Sequence, residues 1–191
     1  MPTHRRQTDA SFEVTPPPGY ATAFLVLSVG VLPVLIVAGM MLTGRMNGAG
    51  LVRFLPVLGI VFLLLCFLLL AMKRRSVALA GGVLDVRAAL YRERTPAAAM
   101  DLARARIVDL ADHTELRPFI KTNGMSVPGF NAGHFRLRGK LNKAFCLITD
   151  RHRVLWLPLN NGSDHLLLSL ERPQALLEAL QAAVGDPAPR E

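Results

Sequence analysis

Cysteine is scarce in this chain. Its 191 residues include two cysteines, Cys66 and Cys146, which lie in separate apolar runs. Two cysteines placed in this way are not expected to form a disulfide, and by themselves they cannot complete a structural zinc site. The sequence therefore predicts a fold that depends on burial of apolar side chains rather than on covalent or metal crosslinks.

Residue patterns that carry catalysis are also missing. Four scattered histidines, none with a metal-ligand spacing, lie in the C-terminal half: His113, His134, His152 and His165. The segment that holds Asp109, Asp112 and Glu115 is interpreted as a solvated loop, since no partner group suits acid–base work. Gly81-Gly82 and Asn123-Gly124 are interpreted as turns, because a phosphate-binding loop would need a lysine and a following helix. We therefore predict no enzymatic activity, no metal and no cofactor.

Aromatic residues are few, at 6% of the chain, and the formal net charge is +8. The single tryptophan, Trp156, lies in an apolar run and is predicted to belong to a core. Basic residues are not interleaved with exposed aromatic ones, and no recognition motif for nucleic acid is present. The basic character is therefore not expected to serve a nucleic-acid partner.

Long apolar runs dominate the first part of the chain. They extend from Ala21 to Leu42 and from Phe54 to Met72. At 1.5 Å per residue the first would span about 33 Å, close to the thickness of the bilayer hydrocarbon. The second has no charged residue, and its Leu, Ile, Val and Phe side chains favour insertion by about 4 to 8 kcal/mol. We predict a transmembrane hairpin over residues 20–72, with the first helix kinked at Pro33.

A cleaved signal peptide is the competing interpretation of the first run. That run is longer than the apolar part of a signal peptide, and no convincing cleavage site follows it. Five basic residues flank the hairpin on the side of the chain termini: Arg5, Arg6, Lys73, Arg74 and Arg75. Only Arg45 and Arg53 lie between the two runs. The distribution of positive charge therefore predicts that both termini are cytoplasmic.

Residues 73–185 are predicted to form one mainly β domain. Apolar residues alternate with polar ones from Leu84 to Leu90, which indicates a half-buried strand. Further strands are predicted around Phe135, at Ala144–Thr149, at Val154–Leu157 and at His165–Leu168. The stretch from Asp101 to Leu110 fits a strand or a helical turn. We expect an antiparallel meander.

After Pro173 the period changes to that of an amphipathic helix. Leu176, Leu177, Leu180 and Val184 share one face of this helix, which is predicted to end at Gly185. A curled sheet or barrel closed by the helix would bury its apolar side. Residues 1–19 are interpreted as a flexible tail, and residues 186–191 as a disordered tail.

Several motifs in the β region follow this order: Asn123-Gly124, Pro128-Gly129-Phe130, Gly133-x-Phe135, the apolar strand ending at Thr149, and Ser169-Leu170-Glu171-Arg172-Pro173. Together they resemble the bacterial pleckstrin-homology-like (PH-like) domains of small membrane proteins, over roughly Ser76 to Val184. The resemblance implies a PH-like curled sheet closed by a C-terminal helix, with a glycine-punctuated loop entering a central strand. It implies location at a bacterial inner membrane and use as an interaction platform, with no particular ligand dictated. Arg172 departs from the pattern, because relatives tend to carry a helix-capping residue there.

Two functional hypotheses follow. The preferred one is a non-enzymatic interaction module, in which an edge strand binds an extended segment of a partner membrane or envelope protein. The alternative is a sensor of anionic lipid headgroups through the basic turn from Arg136 to Lys143, at about 1 kcal/mol per basic residue near the surface. The candidate lipid contacts are Lys73, Arg74, Arg75, Arg136, Arg138, Lys140 and Lys143. An ordinary solvated surface would account for the same charges.

Overall fold

The structure is a computed structural model that describes residues 10–45 and 47–185. The tail proposed for residues 186–191 and the first nine residues of the N-terminal tail lie outside the described residues. The helices are α1 Gly19–Leu25, α2 Leu32–Leu42, α3 Gly48–Lys73 and α4 Pro173–Gly185. The strands are β1 Ala10–Phe12, β2 Arg75–Ala80, β3 Val83–Ala88, β4 Tyr91–Pro96, β5 Arg106–Val108, β6 Pro118–Val127, β7 Phe130–Leu137, β8 Lys143–Ile148, β9 Val154–Pro158 and β10 Asp164–Ser169.

Two helices, Gly19–Leu42 and Gly48–Lys73, are long and apolar enough to cross a membrane. Both begin before the apolar runs that predicted them. The second starts six residues ahead of Phe54 because Asn47 caps it, with its side chain accepting a hydrogen bond from the Gly50 amide at 2.9 Å. At 1.5 Å per residue this helix is about 39 Å long.

The first long helix departs from α-helical geometry just before Pro33, the residue at which a kink was predicted. Its middle segment, Val26–Val31, is π-helical and leads directly into α2, which carries Pro33 in its first turn. Proline has no amide hydrogen, and its ring crowds the carbonyl four residues earlier. A locally wider helix relieves that crowding, as at other interruptions of a helical hydrogen-bond ladder.

The two long helices contact each other at a glycine. A Cβ atom built on Gly30 would lie 2.9 Å from Cδ2 of Leu65, so a larger residue here would require the Leu65 side chain to shift. Near the β domain, Ala21 and Leu25 of α1 and Met72 of α3 are buried in the same cluster as the domain core. The helices and the domain are therefore packed together, and no flexible linker separates them.

The first sheet has the strand order β1-β2-β3-β4 and is antiparallel throughout. Residues 10–12 were expected in a flexible tail, but Ala10 pairs with Leu79 and Phe12 with Val77. The half-buried side chain of Phe12 packs against the core, which explains why this short segment is held. The strand predicted to reach Leu90 ends at Ala88, where the chain turns into β4.

The second sheet has the strand order β5-β9-β10-β8-β7-β6. The expected antiparallel meander is wrong here, because β10 lies between β8 and β9 and runs parallel to β8. The closed barrel is also wrong, since the strands form two sheets. The physical reason is that β8, β9 and β10 are buried on both faces, which requires a packed layer on each side of the sheet.

Two apolar cores cover the faces of the second sheet. One lies against the first sheet and α4, where Leu176, Leu177 and Leu180 are buried. The other contains Trp156, buried as predicted, together with Val108 of β5. The predicted helix is confirmed at Pro173–Gly185, although Val184 is exposed. The ambiguous stretch from Asp101 to Leu110 holds the short strand β5.

Candidate functional site

The seven basic residues predicted to contact lipid fall into two groups on different sheets. The junction group, Lys73, Arg74 and Arg75, joins α3 to β2 of the first sheet. The turn group lies at the β7–β8 turn of the second sheet: Arg136, Arg138, Lys140 and Lys143. The sequence could not tell whether these groups meet, and the structure keeps them as separate surfaces.

The junction group is rigidly held. Arg74 is the single residue between α3 and β2, and its amide donates to the carbonyl of Ala71 at 3.0 Å. Its own carbonyl accepts from the Ala89 amide at 2.8 Å, which ties the β3–β4 turn to the end of the helix. Arg75 is partly buried, and loss of hydration lowers the pKa of its guanidinium. The exposed cations at this junction are therefore Lys73 and Arg74.

The turn group brings like charges close together. Arg136 and Lys143 are directly opposite each other across β7 and β8, an arrangement that is unfavourable unless an anion is nearby. The Arg136 guanidinium donates to the carbonyl of Leu141 at 3.1 Å, which fixes its position. Arg138, Lys140 and Lys143 are exposed. This turn is thus a compact, exposed cationic surface.

A third charged surface, on the outer face of the first sheet, was not predicted as a site. Arg92 and Arg94 both reach Asp85, and Arg92 donates two hydrogen bonds to its carboxylate. These contacts lower the pKa of Asp85 to about 2. Arg87 lies opposite Arg92 across β3 and β4. Within residues 10–45 and 47–185, no carboxylate lies within 4.0 Å of the Arg87 guanidinium.

The longest exposed edge of the fold is β6. This strand of 10 residues is the last in its sheet, and among the described residues it pairs only with β7. Phe119 and Ile120 on it are 64% and 46% exposed. Its register with β7 shifts between Pro118 and Ile120 and again between Lys121 and Asn123. Such irregularities are common on edge strands and limit uncontrolled pairing.

Asn123-Gly124 lies inside β6, so the prediction of a turn there is wrong. Gly124 is opposite Gly133 of β7, and a Cβ on Gly133 would lie 2.6 Å from the carbonyl oxygen of Asn123. The two glycines allow a close backbone approach and do not reverse the chain. The reversal occurs at Pro128-Gly129, with a φ of 78° at Gly129. Gly81-Gly82 is a turn, as predicted, with φ values of 55° and 75°.

The clustered carboxylates and histidines form local pairs. Asp109 accepts a hydrogen bond from the Ala111 amide at 2.6 Å and lies 2.8 Å from Nδ1 of His152. His113 pairs with Glu115 at 3.2 Å. Both pairs are solvent-exposed, and no group of three potential metal ligands occurs in the described residues. These two pairs therefore stabilise the loops that hold them.

One open cavity of about 310 Å³ lies beside the start of the first long helix. Thr15, Pro18 and Tyr20 form one wall, and Asp150 and His152 form the other. The N-terminal segment is fastened at this point, because Thr149 Oγ1 donates to the carbonyl of Thr15 at 2.6 Å. The cavity therefore lies between the N-terminal segment and the β8–β9 loop, beside this hydrogen bond.

Sequence reasoning missed Phe119, Ile120, Leu90 and Arg87 as surface features. Phe119 and Ile120 are adjacent, so they break the alternation by which a half-buried strand is recognised. Leu90 fitted that alternation but is placed in a turn and is 54% exposed. The alternation alone does not distinguish Leu90 from the buried positions, because the end of the strand is set by pairing across the sheet.

Comparison with known proteins identified no relative of this chain. No protein-family model, no curated protein and no solved structure matches this chain. Its function is therefore argued from its own surfaces.

Proposed function

We propose that this chain is an integral protein of a bacterial inner membrane, with both termini in the cytoplasm. It presents a PH-like domain at the membrane face as a non-enzymatic interaction module. The binding site is the free edge of β6, and its ligand is an extended segment of a partner membrane or envelope protein. The exposed pair Phe119 and Ile120 on this edge carries the proposal.

The exposure of the two long helices supports membrane insertion. In their most apolar windows, only 6% and 11% of the residues are buried. A core helix of a water-soluble protein would be mostly buried, so these surfaces need another apolar environment. The 19 residues between Arg53 and Lys73 would span about 29 Å, which matches the bilayer hydrocarbon.

The packing at the junction supports a fixed position for the domain. Arg74 is the only residue between helix and sheet, and Met72 is buried in the domain core. A domain joined in this way cannot tumble freely relative to the bilayer. Its binding edge is therefore presented at a constant distance from the membrane surface, within reach of other membrane proteins.

The edge itself supports strand addition. An outer strand offers unpaired amide and carbonyl groups to any extended peptide, and neighbouring side chains give selectivity. Phe119 and Ile120 supply apolar contact at one end of β6, and Lys121 follows them. Ile120 is opposite Arg136 of the turn group, so cations adjoin the apolar pair. The partner segment expected here is extended, with apolar and acidic residues.

The alternative function, a headgroup sensor at Arg136–Lys143, uses the same cations for a different ligand. The opposed like charges of Arg136 and Lys143 favour an anion at that turn. A phosphate headgroup and an acidic peptide would both satisfy this condition, whereas only a peptide would use the edge of β6. The two functions therefore differ in what contacts Phe119.

A photo-crosslinking amino acid at position 119 of the full-length chain, in native membranes, tests the proposal. We expect one protein adduct that is absent when the crosslinker is placed at the exposed position 184. Ile120→Asp should reduce the adduct at least tenfold, whereas Arg104→Gln should leave it unchanged. A lipid adduct at position 119 would favour the headgroup sensor. Equal yields of the protein adduct at positions 119 and 184 would refute specific binding at the edge of β6.

Anchoring is tested separately by alkaline carbonate extraction of the full-length chain. Retention in the membrane pellet is expected, and release would refute the integral assignment whatever happens at position 119. A cysteine placed at Ser163, in the exposed β9–β10 turn, reports the orientation. Labelling by an impermeant reagent only after the membrane is opened agrees with a cytoplasmic domain, and labelling of intact cells contradicts it.

A further inference from the structure

The β3–β4 turn sits directly beside the end of α3. The Ala89 amide donates to the Arg74 carbonyl at 2.8 Å, and Ala88 is opposite Arg75 in the sheet. These two contacts place Ala89 and Leu90 at the level where the apolar part of α3 ends. The position of the turn relative to the end of α3 follows from these two contacts.

The turn exposes an apolar side chain at this level. Ala89 has a φ of 57°, a left-handed conformation that residues other than glycine rarely adopt. Leu90 is the next residue, and it is 54% exposed, whereas Ala88 and Ala89 are buried. An exposed leucine beside the end of an apolar helix has a ready partner in the boundary region of a bilayer.

Exposed arginines precede this leucine in the chain and lie on or beside the strand segments next to its turn. Arg74 is exposed at the junction, and Arg87 lies three residues before Leu90, opposite Ser76 of β2. Arg92 follows two residues after Leu90, but it is paired with Asp85. Arg74 and Arg87, together with the exposed Lys73 at the end of α3, are therefore available to an anionic headgroup. Their long side chains can reach a surface a few ångströms away while their stems cover apolar atoms.

From this arrangement we propose that the β3–β4 turn is a lipid-docking site: Leu90 inserts into the bilayer boundary, and Arg74 and Arg87 bind the phosphate of an anionic phospholipid. The apolar tip and the flanking cations match the two components of such a surface, acyl chains and negative headgroups. The site rests on membrane anchoring in the proposed function but does not depend on a partner at β6. It differs from the predicted headgroup turn at Arg136–Lys143, which is on the other sheet.

The depth of Leu90 is tested in nanodiscs that hold the full-length chain. A nitroxide is attached to Leu90→Cys in a Cys66→Ala background, since Cys146 is fully buried and does not label. The matched control is Ala80→Cys, an exposed site at the opposite end of the same sheet. We expect oxygen to relax the label at position 90 more than a water-soluble nickel complex does, and the reverse at position 80. Equal access of the nickel complex to both positions would overturn the proposal.

The cations are tested by the lipids retained on the protein. The full-length chain is reconstituted in phosphatidylcholine with phosphatidylglycerol, and co-purifying lipid is measured by native mass spectrometry. The double variant Arg74→Gln, Arg87→Gln is expected to lose at least fivefold in preference for phosphatidylglycerol, and the control Arg104→Gln to lose none. An unchanged preference for phosphatidylglycerol in this double variant would refute the assignment. An equal loss of preference in a separate double variant, Arg138→Gln, Lys140→Gln, would refute it as well.

Failure of this site is distinguishable from failure of the anchor. If carbonate extraction leaves the chain in the membrane while the label at position 90 behaves as the one at position 80, only the docking site is refuted. If carbonate releases the chain, the anchor is refuted and the docking site with it. Leu90→Ser is a second variant that leaves the core intact, and it should reduce lipid retention without lowering the thermal midpoint in detergent.

Discussion

Tyr20, the second residue of the first long helix, lies against Gly129 at the tip of the β6–β7 hairpin. A Cβ atom on Gly129 would be 2.6 Å from Cε2 of Tyr20 and 2.7 Å from Cγ of Pro18. The two residues are more than 100 positions apart in the chain. Their contact fixes the start of the apolar helix against the second sheet, and glycine is what makes it possible.

The first prediction concerns this contact. Gly129→Ala should lower the free energy of unfolding by about 1 kcal/mol for the positive φ and by about 1 to 3 kcal/mol more for the clash with Tyr20. The matched control is Gly162→Ala, whose φ is 72° but which has no neighbour within 4 Å. Thermal unfolding of the full-length chain in detergent measures both. Equal losses would mean that the Tyr20 contact contributes nothing.

The second prediction concerns the helix pair. Gly30→Leu should separate the long helices, because the approach of Leu65 leaves no room for a side chain there. A loss of about 1 to 3 kcal/mol is expected from overpacking. Gly39→Leu, in the same helix with nothing within 4 Å, should stay within about 0.5 kcal/mol of the parent. Resistance to unfolding in denaturing detergent compares them, and similar values would contradict the packing.

The third prediction concerns a buried hydroxyl that holds the β8–β9 loop. Ser169 is fully buried, and its Oγ accepts from the amides of Thr149 at 3.2 Å and Asp150 at 3.3 Å. Ser169→Ala leaves both donors without this acceptor, so a loss of about 1 to 3 kcal/mol is expected. Ser126→Ala, which removes only an exposed hydrogen bond to Asn131, is the control. A Ser169→Ala midpoint equal to that of the control would show that another group replaces the hydroxyl.

The fourth prediction concerns pH. The Asp109 carboxylate holds the pKa of His152 above its usual range, because it accepts a hydrogen bond from the ring and attracts the charged form. A raised pKa in the folded state adds stability that is complete below about pH 6.5 and disappears as the pH rises through the folded value. The thermal midpoint of His152→Gln should therefore fall below the parent at pH 5.5 and approach it at pH 9.

The salt concentration provides a control for the pair of His152 and Asp109. Both side chains are exposed, so their attraction is screened and the difference at pH 5.5 should shrink in 1 M salt. His113→Gln, at the neighbouring exposed pair with Glu115, gives a comparison in the same region. A His152→Gln difference that does not change between pH 5.5 and 9 would refute an electrostatic role for His152.

Local pattern was sufficient for most of the elements. The apolar runs predicted both long helices, and the change of period at Pro173 predicted α4. The strands at Ala144–Thr149 and Val154–Leu157 are confirmed within one residue at each end. Each of these features depends on residues close together in the chain, which is why a short window of sequence contains the signal.

The pairing of strands was not predictable in the same way. β10 enters the sheet between β8 and β9, and residues 10–12 add a strand to the first sheet. An extended apolar segment can pair with several neighbours, and the choice depends on which layers cover its two faces. Asn123-Gly124 was misjudged for a related reason, since glycines that allow two strands to approach look the same in sequence as glycines that reverse the chain.

Some features of the candidate surfaces likewise follow from the sequence, and others follow only from the structure. The sequence determined that basic residues follow the second apolar run, because charge and hydropathy are properties of single residues and their order. Only the tertiary structure decided that Arg136 and Lys143 are opposed and that Arg92 pairs with Asp85, whereas no described carboxylate lies within 4.0 Å of Arg87. It also decided that Leu90 is exposed in a turn beside the end of a helix. Exposure and charge compensation are set by neighbours distant in the chain, and those neighbours are chosen when the sheets pack and bury their apolar faces.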